Sequence, residues 1–289
     1  MNIEIKKIIS LWLLYFFTSQ CAAIDVEQLA IAKVREASQI LVNAHRQDQP
    51  IPVLSANGLV TADDELAYNI QTAFVKALLL GSPPQGFKAG LTTVTGQKKF
   101  AVGGPVAGVL IEPPLQAIDK PVLNMNAYHR MMIEMELGFR FKHRLIMPPT
   151  SIKELKTLVA EVVAVIEIPD LGFDQPQWLK GADIIAGNVA AKKWIVANAV
   201  TADSIDINAL QLQIKHNQKV IISASSGEVM NDQWQALFWL VNRMINNDWV
   251  IEPEQTLITG AIGTMLTAKP GEYSADFSQL GRIQFSIIN

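Results

Sequence analysis

The chain has a single cysteine, Cys21, and only four histidines, scattered at His45, His129, His143 and His216. One thiol makes no disulfide framework, and lone histidines read as surface or satisfied residues rather than as a shared metal site. Basic charge is also in short supply. Twenty-four Lys and Arg stand against 27 Asp and Glu for a formal net charge of −3, without a basic cluster, so no footprint for nucleic acid is present. The G-x-G-x-x-G, G-x-S-x-G and H-E-x-x-H patterns are missing, which removes support for dinucleotide binding, the hydrolase elbow and the common zinc protease. Gly90-Leu91-Thr92-Thr93-Val94-Thr95-Gly96-Gln97-Lys98 is no phosphate loop, because its glycines are one residue too far apart and Gln97 stands where the lysine is required. Internal repeats, linkers and low-complexity tracts are absent. What remains is a globular composition: 289 residues, 49% hydrophobic and 18% charged, enough for one large domain or two small ones with a proper core.

A long apolar run is lacking as well. The one near the start, Ile8 to Phe17, has about ten residues, too short for a permanent membrane span. Preceded by Lys6 and Lys7 and followed by the small residues Cys21-Ala22-Ala23, it reads as a secretory signal peptide over residues 1–23, and the protein is expected to be secreted or periplasmic. Lipid attachment at Cys21 is the rival, disfavoured by Gln20 before it. A chain beginning at Ile24 has no cysteine, so cysteine catalysis is excluded.

Leu29, Ala30, Ala32, Val34, Ala37, Ile40 and Leu41 recur at helical spacing over about residues 26–43, and a second helix is expected over about 62–80, started by Thr61 and Asp64 and stopped by Gly81-Ser82-Pro83-Pro84. Residues 24–85 thus form a helical N-terminal region. After Gly86 the texture changes to short strands and turns. A capping box, Ser151 with Glu154, opens a helix whose stripe is Leu155, Leu158, Val159 and Val162, and Asp232 opens another running to about Asn247. Strands are expected over 256–259, 263–268 and 281–288.

The most informative segment is Met131 to Phe141. Met131, Ile133, Met135, Leu137, Phe139 and Phe141 alternate with Met132, Glu134, Glu136, Gly138 and Arg140, the period of a strand expected to begin near Tyr128. Glu134 and Glu136 therefore share a face, roughly 7 Å apart, and repel unless something positive lies between them. Glu167 sits inside Val162–Ile168, a run that reads as a strand buried on both faces, where an unpaired carboxylate costs several kcal/mol. Three carboxylates suit a hard divalent cation with oxygen ligands. A structural lysine or arginine would satisfy Glu167 equally well, and on the residues alone both readings stand.

Gly86-Phe87-Lys88-Ala89-Gly90-Leu91-Thr92, followed by Gly104-Pro105 and Gly108-Val109-Leu110, resembles the G-x-K-x-G-L-T segment of the 2-keto-4-pentenoate hydratases in the fumarylacetoacetate hydrolase superfamily. The order continues through Ile133–Phe139 (their E-x-E strand), Val163–Ile168 (their third glutamate), Ala186–Ala190 (their A-D-N-A-S segment) and Leu257–Ala261 (their late T-G strand end), over about residues 60–289. The resemblance implies an α+β fold, a mixed rolled β-sheet with flanking helices, as a catalytic domain over 86–289 behind the helical preface. It implies Mg²⁺ or Mn²⁺ held by Glu134, Glu136 and Glu167, with Asn188 and Thr259 at the substrate. The metal would be a Lewis acid that stabilises the enolate of a small 2-oxo or enol acid while water adds to its distal alkene carbon, making the protein a hydro-lyase. Lys88, which on the residues alone reads as an exposed loop lysine, would supply the mobile proton or hold the substrate carboxylate. A homo-oligomer is left open.

The chain departs from that family at several points. Gly104-Pro105-Val106-Ala107 carries no acid where hydratases often have one, Gly187 and Ala190 replace the acid and the hydroxyl flanking Asn188, and the link before the late helix is shortened to Ser226–Asp232. These departures keep alive a decarboxylase or carbon–carbon hydrolase on the same scaffold, and a catalytically degenerate binder of a small acid or a protein. The expectation of export is checked by N-terminal sequencing of protein from its native host: the first residue should be Ile24, whereas a retained Met1 would dismiss the signal peptide and a diacylated Cys21 would install the lipoprotein.

Overall fold

The computed structural model describes residues 28–61 and 64–289. The expected signal peptide and its cleavage site lie outside these residues, as do Ala62 and Asp63 at the expected start of the second helix. Among the described residues no helix is long and apolar enough to cross a membrane.

Helix α1 occupies residues 28–46 and α2 Asp64–Leu79. The apolar stripe of α1 is only partly used: Ala37, Leu41 and Val42 are buried, but Leu29 and Ile31 are exposed. On α2 the face of Ala67, Tyr68, Ile70, Phe74 and Val75 is buried. Three strands and a short helix follow: β1 (Gly86–Gly90), α3 (Val94–Phe100), β2 (Val106–Leu110) and β3 (Leu115–Gln116). Next come β4 (Val122–Asn124), β5 (Met132–Phe141), α4 (Ile152–Leu158) and β6 (Val159–Ile168). The rest is α5 (Gly181–Ala186), β7 (Lys193–Val196), β8 (Val200–Thr201), β9 (Gln211–His216), β10 (Lys219–Ser225), α6 (Gln233–Asn246), β11 (Thr256–Ile258), β12 (Leu266–Thr267), β13 (Gly271–Asp276) and β14 (Arg282–Ile288).

The fold is mixed α+β, as expected, but the strands form two sheets. The larger runs β2-β1-β11-β5-β6-β7-β3, with β12 beside β5 and β8 beside β6; the smaller runs β10-β9-β13-β14-β4. Both mix parallel and antiparallel pairs, and neither closes on itself. One apolar core links them to the helices, since Ala37, Ile70, Leu137, Ile166, Leu237 and Phe285 all belong to it. β5 and β6 lie centrally; β6 is buried and apolar from Val162 to Ile168 apart from Glu167, whereas β5 alternates apolar residues with Glu134, Glu136 and Arg140.

Several boundaries differ from the sequence reading. The glutamate strand begins at Met132 rather than near Tyr128, since the chain bends at residues 129–130. Val159 and Val162 belong to β6, not to the helix before it: α4 ends after Leu158, where the β-branched run takes over. The expected strand at 263–268 shrinks to Leu266–Thr267, and β13 starts at Gly271, which reads as a turn residue after Pro270. Lys88 is not an exposed loop residue but lies inside β1 at 2% exposure.

Gly138 shows how closely the strands around the glutamates pack. A Cβ there would stand 2.6 Å from Thr256 Cγ2, 2.7 Å from Val163 Cγ2 and 3.0 Å from Val165 Cγ2. Gly138→Ala is therefore expected to destabilise the protein by about 1–3 kcal/mol, as overpacking does, read as a lowered urea midpoint with an unchanged m-value.

Candidate metal centre

In the antiparallel pairing of β5 with β6, Glu134 lies directly opposite Glu167 and Glu136 opposite Val165. Opposed residues project from the same face, so the sheet itself gathers the three carboxylates. One oxygen from each of Glu134, Glu136 and Glu167 lies within 4.8 Å of the other two. Glu136 and Glu167 are fully buried and Glu134 is half-buried.

Lys88 reaches the cluster from β1. Its Nζ donates to Glu167 Oε1 at 2.5 Å and to the backbone carbonyl of Val189 at 3.1 Å. The carbonyl is presented by an unusual backbone: Asn188, Val189 and Ala190 are consecutive left-handed residues with φ of 57°, 51° and 56°. Such a conformation costs on the order of 1–2 kcal/mol per residue, most for a β-branched valine, and persists only when its surroundings impose it. Asn188 supplies the restraint, its side-chain oxygen accepting from Val109 N at 2.7 Å and its nitrogen donating to Val109 O at 2.8 Å. On the far side, Gly260 at φ 105° aims its N–H at Glu136 Oε2, 2.7 Å away.

Two oxygens are left over. Glu136 Oε1 and Glu167 Oε2 are buried without a hydrogen-bond partner, and three carboxylates face one ammonium. If all are ionised the cluster is short of two positive charges. Burial pushes the Glu134 carboxyl up to about 7, helped by repulsion from Glu167 and opposed by Lys88. Glu136 is raised well above the usual carboxylate range by burial first, then by Glu167 and Glu134. Burial works against the charge of Lys88, but Glu167, Glu134 and Glu136 outweigh it and hold the ammonium above its ordinary value. Glu167 thus has the lysine partner that one alternative required, and the deficit of the fully ionised cluster equals the charge of one divalent cation. An all-oxygen donor set with two orphaned buried atoms fits Mg²⁺ or Mn²⁺.

The other expected residues stand in the walls with their polar atoms engaged. Asn188 spends its amide on Val109, and the buried Thr259 hydroxyl donates to Gln233 Oε1 at 2.6 Å and lies 3.2 Å from Leu137 O. The reading from sequence did not pick out Asp170, three residues beyond Glu167. Its carboxylate accepts from His129 N (3.1 Å), Arg130 N (2.7 Å) and Lys192 Nζ (2.8 Å). Pro169 before it, ending the strand, was the available signal. The Val189 carbonyl had none.

The raised carboxyls carry a sign. In the metal-free protein Glu136 binds its proton more tightly folded than unfolded, so stability falls as pH rises above the ordinary carboxylate range towards the raised folded value. Glu136→Gln removes that loss. In EDTA, the variant should melt above the parent at pH 8, with the gap closing towards pH 5; a gap that is constant or reversed would show that Glu136 is not held under electrostatic stress.

No protein-family model matches the chain. It is 24% identical over 241 residues to the 2-keto-4-pentenoate hydratase of Paraburkholderia xenovorans (strain LB400), covering 82% of this chain and 88% of that one. Among solved structures it is similar to 4-oxalocrotonate decarboxylase from Pseudomonas putida G7, complexed with magnesium and adipate, at TM-score 0.78 and 17% identity over 91% of this chain and 98% of the other. Fumarylpyruvate hydrolase from Pseudomonas aeruginosa, complexed with Mn²⁺ and pyruvate, is similar at TM-score 0.55 and 11% identity over 71% and 90%. The resemblance read from the ordered motifs agrees with both comparisons: in sequence the chain is similar to 2-keto-4-pentenoate hydratases, and in fold to 4-oxalocrotonate decarboxylase and fumarylpyruvate hydrolase.

Proposed function

We propose that the protein is a divalent-metal-dependent hydro-lyase that adds water to a small 2-hydroxy-dienoic acid through its 2-oxo tautomer. The observation that carries the reading is the cluster of Glu134, Glu136 and Glu167, three carboxyls with two orphaned oxygens gathered beside a single buried lysine. The likeness to the hydratases in sequence supports it.

A bound Mg²⁺ or Mn²⁺ would be held by Glu134, Glu136 and Glu167, where it would supply Lewis acidity at the 2-oxygen and carboxylate of the acid. The chain's own part is positioning and proton handling. The Val189 carbonyl and Glu167 fix Lys88 Nζ between them, and the two contacts leave the ammonium one of its three protons. That remaining N–H is the one Lys88 would deliver to the substrate carbon as the enol becomes the ketone, the enol oxygen giving up its own proton to restore the ammonium. The apolar walls Val163, Val165 and Ile258 on the same face keep bulk water away, which strengthens each charge interaction within.

Titration calorimetry with Mn²⁺ should give one site per chain, lost in Glu167→Gln; equal affinity in that variant would reject the ligand assignment. Lys88→Ala should lower turnover of 2-hydroxypenta-2,4-dienoate at least roughly a hundredfold, the scale for losing a positioned proton-transfer group. Mn²⁺ binding without turnover of any hydroxy-dienoate or acylpyruvate would favour the degenerate binder.

A further inference from the structure

Gln71 is fully buried on the inner face of α2. Its side-chain nitrogen donates to two main-chain carbonyls, Ala107 O in β2 at 2.8 Å and Ile185 O in the last turn of α5 at 2.7 Å. One carboxamide thus ties a strand to the end of a helix. Three residues earlier on the same face of α2, the Tyr68 hydroxyl accepts from Ala107 N at 2.9 Å, so α2 grips Ala107 by both of its polar groups.

Both attachments lead to Lys88. Ala107 precedes Gly108, which lies directly opposite Lys88 in the β1–β2 pair. A Cβ at Gly108 would stand 3.2 Å from Lys88 Cγ and 3.0 Å from Asn188 O, so this strand, the lysine stem and the left-handed turn are stacked without slack. On the other side, Ile185 stands shortly before Val189, whose carbonyl accepts from Lys88 Nζ at 3.1 Å. The last carbonyls of a helix have no partner within it, and α5 hands the chain through Gly187 to the strained residues 188–190. Asn188 fastens the turn itself to Val109, and Gln71 fastens the residue before it to Ala107 on the same strand. Two amides, one on each side of Gly187, therefore hold the approach to Val189 in register with β2. The Gln71 oxygen is buried without a hydrogen-bond partner, so what the position uses is the pair of donors.

We propose that Gln71 is a positioning residue for Lys88, acting through the Val189 carbonyl and β2 rather than on substrate or cation. Its effect on turnover rests on the hydro-lyase reading. Its effect on the ammonium does not.

The test compares Gln71→Met, which keeps the length and bulk of the side chain without its donors, with Leu212→Ala, a core truncation in the smaller sheet that lowers stability away from the centre. Both are measured where they are folded. With an isotopic label on the lysine side-chain nitrogens, the Lys88 ammonium signal is assigned by its absence in Lys88→Met and the exchange of its protons with water is timed. We expect exchange at least about tenfold faster in Gln71→Met than in the parent, and within about twofold of the parent in Leu212→Ala. In the Mn²⁺-loaded protein, kcat for 2-hydroxypenta-2,4-dienoate should fall at least about tenfold in Gln71→Met while KM and Mn²⁺ affinity stay within about threefold, because β5 and β6 carry the three glutamates. Unchanged ammonium exchange in Gln71→Met, equal acceleration in Leu212→Ala, or no Lys88 signal in the parent would overturn the proposal. A parent that turns over no hydroxy-dienoate would sink the hydro-lyase reading, while the exchange comparison would still decide where Gln71 acts. Should Gln71→Met not fold, Gln71→Glu keeps the shape with at most one donor, and parent-like exchange in it would overturn the proposal equally.

Discussion

Three carboxylates and one ammonium on the covered face of a central sheet are the constraint around which the structure is arranged. Replacing such a group by apolar residues would be easier on the fold, because desolvating charges costs more than pairing them returns. The chain keeps them and arranges its backbone to tolerate them. Glu136 is met by the Gly260 N–H and Glu167 by Lys88, yet each retains an oxygen that no protein group satisfies. A fold selected only for stability would have closed those two valences; leaving them open is what a centre for a removable cation needs.

The same constraint explains where the backbone is strained. Lys88 can be aimed at the glutamates only if something fixes its other side, and that role falls to a carbonyl carried by three left-handed residues in a row. Asn188 holds the turn by pairing with both polar groups of Val109 on β2, the neighbour of the strand that carries Lys88. Glycines clear the space: a Cβ at Gly108 would lie 3.0 Å from Asn188 O and 3.2 Å from Lys88 Cγ, and one at Gly260 would lie 2.6 Å from Thr92 Cγ2. Position, not residue type, makes this lysine different from the other lysines of the chain.

That distinction also marks how far the sequence could be read. Glu134 and Glu136 were legible because a strand's period of two forces them to one face, and Glu167 because a charge inside Val163–Ile168 has to be answered. Lys88 was legible only through the G-x-K-x-G-L-T resemblance and its burial not at all, since a lysine between glycines looks the same in a loop as in a strand that β2 and β11 flank on either side. The strained carbonyl of Val189 leaves no trace in side-chain chemistry at all. In the smaller sheet, Leu212 and Ile214 of β9 do alternate with polar neighbours, but β10 exposes Val220 and Ile221, and Pro270-Gly271 disguises the start of β13 as a turn. Short strands with mixed exposure are recognisable only from their partners.

The missing acid around residues 104–107 has a structural counterpart. Val106 and Ala107 are buried at the start of β2, where the Ala107 N–H donates to the Tyr68 hydroxyl at 2.9 Å and its carbonyl accepts from Gln71 at 2.8 Å. Two side chains of α2 thus bind the backbone where a hydratase often presents a carboxylate, and the position is sealed in apolar surroundings. Ala190, in the wall of a neighbouring cavity, offers no hydroxyl either. Within the metal centre, proton traffic on the hydro-lyase reading is left to Lys88 and to the half-buried Glu134, whose carboxyl is pushed up to about 7 in the metal-free state. On that reading, a centre with so few proton-bearing groups suits a reaction in which the enol oxygen loses a proton and a carbon gains one by way of the lysine, and it places the burden of catalysis on where Val189 and Glu167 hold that ammonium.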